Sequence, residues 1–440
     1  MLKNMSGIIS QLCTEVKLPR MLKVQQTFDS ASIEKAEIPD AVFAELSKPG
    51  LENQIKPGKR IAITCGSRGV SNIPVIVKAI ADFVKSKGAH PFVVPAMGSH
   101  GGATAEGQRN LLSLYGVTED TIGCPIVSSM ETVVIGNVSG GFEAPGYSGE
   151  AVFEVRIDKN AAGADGIIVA GRIKPHTDFH GPYESGLMKM MAIGLGKREG
   201  ADLCHQLGFG YMARMVPLFG KTIIKNSPVI LGFGILENAY SRTCKFAAML
   251  PGEIENREPD LLKEARSHLP LIPFESTDVL VVDRIGKDIS GDGMDPNVTG
   301  SSACSPFVKG GINANRTAVL DLTPDTHGSA MGIGSAHTIT KRFFDKINFD
   351  ATYVNALTAR VLEFARIPVV TDSDREAIQL ALRSSISADK SKPKIIRISD
   401  SLHTEVFYIS EALEAQAREK GLKILEGPAD WSFDQNGNLW

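Results

Sequence analysis

Cysteine is scarce in this sequence and nowhere grouped. The six residues, Cys13, Cys65, Cys124, Cys204, Cys244 and Cys304, lie far apart with no C-x-x-C pair. That spacing excludes a zinc ribbon or a disulfide framework and fits a reducing, cytoplasmic setting. No apolar run approaches the roughly 18–20 residues of a transmembrane helix, so no membrane association is expected. Met1 to Arg20 is interrupted by Lys3, Gln11, Glu15 and Lys17 and lacks the continuous apolar stretch of a secretory signal. Charge is balanced: 47 Lys+Arg stand against 50 Asp+Glu, a net −3, which leaves no basic surplus for nucleic acid or an anionic membrane. H-E-x-x-H, G-x-S-x-G and the P-loop are all absent. Internal repeats and low-complexity tracts are absent too.

What remains is a chain of 440 residues, 43% apolar and 22% charged, close to a soluble globular average. At about 150 residues per domain, its length implies two or three domains. Glycine is abundant, at 43 residues, and clusters in loops. Arg60 to Thr64 reads as a buried strand, followed by the glycine loop Cys65-Gly-Ser-Arg-Gly-Val-Ser-Asn72. Ile73, Ile76, Val77, Ile80, Phe83 and Val84 then share one face of a helix running to Lys87. Pro74 fits its first turn and Gly88 its end. A second strand, His90 to Ala96, leads into Met97-Gly-Ser-His-Gly-Gly102, and Thr104 offers the cap of a helix reaching Tyr115. Such a crossover makes the two strands parallel, so the loops carrying Arg68 and His100 emerge at the carboxyl edge of one sheet.

The same grammar recurs. Gly166 to Ala170 is a strand before Lys174-Pro-His-Thr-Asp-Phe-His180, and Asp278 to Asp283 precedes a loop with Lys287. Ala318 to Leu322 precedes His327 and a helix at Thr340 to Ile347, and Ile395 to Ile398 precedes a helix near Ser410 to Lys420. Ile135 to Ile157 reads as β-hairpins. Pro270 and Pro273 mark the domain boundary. The expected architecture is two α/β domains with mainly parallel sheets, over residues 1–270 and 271–440.

Few residues stand out chemically. His100 has neighbours too small for its ring to be there for packing, and His176 follows a stiffening proline, with His180 as its possible substitute. Lys189 is the single charge in Ser185-Gly-Leu-Met-Lys-Met-Met-Ala-Ile193. It either snorkels from a helix face or lies in a dry pocket, where its amine becomes usable for covalent chemistry. His205 adjoins Cys204, and the two point roughly 100° apart on a helix, so one of them at most is a ligand. Arg68 and Lys287 are available to clamp an anion, or are ordinary exposed cations. Gly194-Leu-Gly-Lys-Arg-Glu-Gly200 spaces as G-x-G-x-x-x-G, with no acidic strand end about 20 residues on, and is a poor dinucleotide fingerprint.

Taken in order, these motifs resemble the nickel-dependent lactate racemase family over nearly the whole chain, most strongly from Arg60 to His205. The matching segments are Gly66-Ser-Arg68, Gly98-Ser-His100, Pro175-His176 leading to Ser185-Gly186 and Lys189, and His205 sixteen residues beyond the lysine. The stretch between Pro-His and Ser-Gly is longer than in the lactate enzymes, and Leu187-Met188 replaces small residues. The chain is thus similar to a broader, divergent branch. The resemblance implies a racemase or epimerase acting at C2 of a 2-hydroxy acid through a 2-keto acid, with the active site in the interdomain cleft. Its cofactor would be a nickel pincer nucleotide made by dedicated biosynthesis proteins. By the same resemblance Lys189 would tether the cofactor and His205 would bind nickel. His100 and His176 would be the acid/base pair, and Arg68 and Lys287 would hold substrate. The polar Tyr183 and Glu184 lean toward a larger, hydroxylated acid. An NAD-dependent 2-hydroxyacid dehydrogenase and a non-catalytic sugar-acid or nucleotide-binding module are the alternatives.

Overall fold

A computed structural model describes residues 7–440 apart from Arg68, 145–146, 304–306, 309 and 387–388. The chain divides into two compact units, one of residues 29–268 and one of residues 1–28 with 269–440. The sequence expectation of a 1–270 domain therefore differs at its start. The first strand, β1 (Met21–Gln25), pairs with strands from the far end of the chain, and no local pattern announces a partner some 380 residues away.

In the unit 29–268 the strands are β2 (Arg60–Cys65), β3 (His90–Pro95), β4 (Thr132–Ala144), β5 (Tyr147–Asp158), β6 (Gly166–Arg172), β7 (Val229–Glu237) and β8 (Thr243–Met249). Five form a sheet in the order β3-β2-β6-β7-β8, parallel except for the β8 edge. The helix between β2 and β3 runs over Ile73–Ser86 and buries Ile76, Val77, Ile80, Phe83 and Val84, the face its periodicity predicts. After β3 the chain crosses back to the other side of β2, so the order reverses between β2 and β6. That reversal opens a crevice at the carboxyl ends of those two strands, where open α/β sheets bind ligands. The expected hairpins over Ile135 to Ile157 are one long hairpin, β4 with β5.

The other unit holds β9 (Ser276–Ile285), β10 (Asn313–Leu322), β11 (Thr338–Thr340), β12 (Val369–Thr371), β13 (Ile395–Ile398), β14 (Val406–Ser410) and β15 (Lys423–Ala429). Its sheet runs β12-β11-β10-β9-β13-β14-β1-β15, parallel from β12 to β13 and antiparallel beyond. The helix expected near Ser410 to Lys420 is a 3-10 turn over Glu411–Leu413 that continues as the α-helix Glu414–Glu419. Phe407 and Ile409 alternate inward, and that period of two makes Val406–Ser410 a strand. The architecture is α/β with mainly parallel sheets, as the sequence predicts. Among the described residues no helix is long and apolar enough to cross a membrane.

Candidate active site

Lys189 ends a single α-helical turn, Leu187–Lys189, and the chain continues without a break as a π-helix over Met190–Leu195. Single π-turns inside helices recur at functional sites. Leu187, Met188, Met191, Ala192 and Leu195 are buried, while Lys189 and Met190 stay half-buried on the remaining face. The segment sits directly on the crevice. A Cβ on Gly66, just past β2, or on Gly171, in β6, would come within 3.1 Å of the Met190 methyl. Its first turn is anchored by Glu258, from the helix Pro251–Ser267, whose Oε2 accepts the Met188 N–H at 3.0 Å. Burial pushes the Glu258 carboxyl up to about 8, against the opposing pull of the Met188 and Leu187 N–H groups, so it is largely neutral at pH 7.

The loop after β6 is closed at its base by paired backbone bonds between Lys174 and Ser185. Inside it Glu184, 1% exposed, accepts the His176 N–H at 2.8 Å and the Gly181 N–H at 3.1 Å, and pairs with Arg266 at 2.7 Å. The His176 ring lies 4.5 Å from the Phe179 ring and 6.3 Å from that of Phe209. Its Nδ1 faces the Asp178 N–H at 3.0 Å and its Nε2 meets Lys189 Nζ. A backbone N–H only donates, so Nδ1 is the acceptor in the contact with Asp178.

His205 caps the helix Lys197–Cys204. Its Nδ1 donates to Ala201 O at 2.7 Å, which makes Nε2 the basic nitrogen, and its ring meets the Phe209 ring edge-on at 5.7 Å. His176 and His205 therefore share Phe209. Burial raises the thiol of neighbouring Cys204 to about 12, against the smaller opposing effect of the Lys189 charge. His100 is exposed, with Nδ1 hydrogen-bonded to Ser67 Oγ in the loop after β2. Its turn packs on the same segment as Lys189. Gly98 N–H donates to Gly194 O at 3.2 Å, and a Cβ on Gly98 would touch Ile193 and Ala201.

His100, His176, Lys189 and His205 thus converge around one helical segment. Arg68 lies outside the described residues. Lys287 belongs to the other unit, in the loop after β9, where its Nζ donates to Asn355 Oδ1. Tyr183 and Glu184 are not substrate-facing. Tyr183 donates to Glu255 O at 2.7 Å and Glu184 is buried as above, so the expectation of a hydroxylated substrate loses its basis. Gly194 and Gly200 lie within helical segments rather than after a strand, which removes the fingerprint a nicotinamide dehydrogenase needs. Sequence reasoning missed Phe209, Arg266 and Glu258, gave Glu184 a different role, and named Ser67 only as part of a matching motif. Only Ser67, inside the glycine loop, carried a local signal.

Among the described residues no three or more His, Cys, Asp or Glu side chains come together as a metal site. One histidine with a defined basic nitrogen, beside an amine, fits a metal that arrives with most of its donors already attached. No family model matches the sequence, and no curated protein matches it. Among solved structures the chain is similar to the lactate racemase apoprotein from Thermoanaerobacterium thermosaccharolyticum, at 14% identity and a TM-score of 0.48, over 88% of this chain and 99% of that one. At that identity and score the likeness assigns neither activity nor site residues to this chain.

Proposed function

We propose that the chain is an isomerase that inverts C2 of a 2-hydroxy acid by way of the 2-keto acid, using a nickel pincer nucleotide joined to Lys189. The observation that carries this reading is the meeting of Lys189 Nζ with His176 Nε2 beside the ring that His176 shares with His205. Tether, proton carrier and metal ligand are then neighbours. When bound, the cofactor supplies an electron-poor acceptor for the C2 hydride, which no side chain here can do.

The chain's own residues supply the rest. Lys189 would hold the cofactor through its amine, and His205 would hold the metal through Nε2. His100 and His176 each have Nδ1 engaged, by Ser67 and by the Asp178 N–H, so each exchanges a proton through Nε2. They come from loops after different strands. Inversion moves the substrate hydroxyl from one side to the other, and each side needs its own proton carrier. Arg68 is assigned to the substrate carboxylate, whose retention keeps the planar keto acid from escaping before it is reduced. Loading calls for the cofactor's biosynthesis proteins as partners.

The test is intact mass and metal analysis of protein made alongside that pathway, followed by a screen of chiral 2-hydroxy acids by optical rotation. The wild type should carry one covalent adduct and one nickel, and Lys189→Ala neither. Full activity of Lys189→Ala, or a nicotinamide absorbance change with turnover, would end the proposal.

A further inference from the structure

The most unusual ionisable group outside the contacts described so far is Lys197. Its side chain is fully buried, and its backbone is in the left-handed region at φ 55°, which a residue with a Cβ adopts only when its surroundings hold it there. Its ammonium donates to Pro95 O and to Gln108 Oε1 at 3.1 Å, and forms an ion pair with Asp158, whose Oδ2 stands 3.2 Å away. Asp158, also fully buried, spends its other oxygen on the N–H groups of Asn160 and Ala161 at 2.8 and 3.0 Å. A buried ion pair of this kind adds little stability that apolar residues of the same volume would not, so its presence calls for another role.

Gln108 supplies that role. Its side chain is buried, and with Oε1 turned to Lys197 its amide can point only one way. Nε2 then donates to Gly98 O at 2.9 Å and to His100 O at 3.2 Å. Lys197 itself holds Pro95 O, where β3 ends. Between them the two side chains grip three carbonyls of the turn from Pro95 to His100. We infer that Lys197 is a positioning residue for His100, acting through the amide of Gln108 to set the backbone from which the imidazole reaches Ser67. The inference rests on the reading of His100 as a proton carrier, but the geometry it describes exists in the chain without cofactor.

The experiment uses the full cofactor-free chain with isotope-labelled histidine, the His100 signals being assigned by their loss in His100→Gln. Gln108→Glu keeps an oxygen for Lys197 but removes both donors from the turn. Lys197→Met with Asp158→Asn removes the charges together, leaves no buried ion unpaired, and decides the matter if the first variant does not fold. In either, the His100 ring nitrogen resonances and their pH titration should move away from the wild type while the other histidines stay put. In loaded enzyme, kcat should fall about tenfold or more with KM little changed. His100 resonances superimposable on the wild type in a folded variant would overturn the inference. Resonances that move in a protein that racemises nothing would sink the proposed reaction and leave this inference standing.

Discussion

Replacing Glu258 by glutamine should make stability less dependent on pH, and the size of the effect follows from burial. Glu258 is 1% exposed, and its carboxyl is raised from 4.5 to about 8. Between those values the folded chain holds a proton that the unfolded chain has released. The contribution of this group to stability is therefore fully present below pH 4.5 and is lost as pH rises through about 8. The loss is roughly 1.4 kcal/mol per pH unit, or about 3 kcal/mol between pH 5 and pH 8. Glutamine keeps an oxygen for the Met188 N–H and has no proton to lose. Relative to the variant, the wild type should lose about 3 kcal/mol over that range and then level off. Tryptophan fluorescence will not follow this, since Trp431 and Trp440 both belong to the other unit. Urea unfolding read by circular dichroism, with hydrogen exchange of the peptide covering 251–267, reports on the right unit. A constant offset between wild type and variant from pH 5 to pH 8 would refute a neutral, buried Glu258.

The remaining predictions are simpler. His100→Ala and His176→Ala should each lower turnover of loaded enzyme by about 10²-fold or more, and a neutral result at either position removes that histidine from the mechanism. Gly186→Ala should destabilise the unit by about 1–3 kcal/mol, as other overpacked sites do. The added Cβ would stand 2.0 Å from Glu258 Oε1, and a denaturation midpoint equal to the wild type would show that the carboxyl is not held against Gly186.

Much of the first sheet is legible in the sequence because its signals are local. The periodic face of Ile73–Ser86, the strand runs before Gly66 and Ala96, and Thr104 capping the helix Ala105–Leu114 through the Gly107 N–H all lie within short windows. The candidate site residues are legible for a related reason. His100 among glycines and Lys189 among methionines contradict their surroundings, and a residue that contradicts its surroundings is visible without a fold. β1 is invisible by the same standard, because what makes it a strand of its sheet is its pairing with β14 and β15.

The supporting residues are a harder case. Glu258 sits in Glu253-Ile-Glu-Asn-Arg-Glu-Pro-Asp260, a stretch that reads as a solvated helix face, and Gln108 and Arg266 look like routine surface polar residues. The roles of Glu258 and Arg266 exist only once the helix Pro251–Ser267 is docked. That one rigid element presents Glu258 to the first turn of the Lys189 segment and, about 12 Å further along at 1.5 Å per residue, Arg266 to Glu184 beneath His176. The amine and the imidazole that meet at the site are thus referenced to the same helix from two separate anchor points. Their contact depends on the length and placement of that helix rather than on either loop alone. A sequence displays the loops, and the helix that sets their spacing reads as an ordinary charged surface helix.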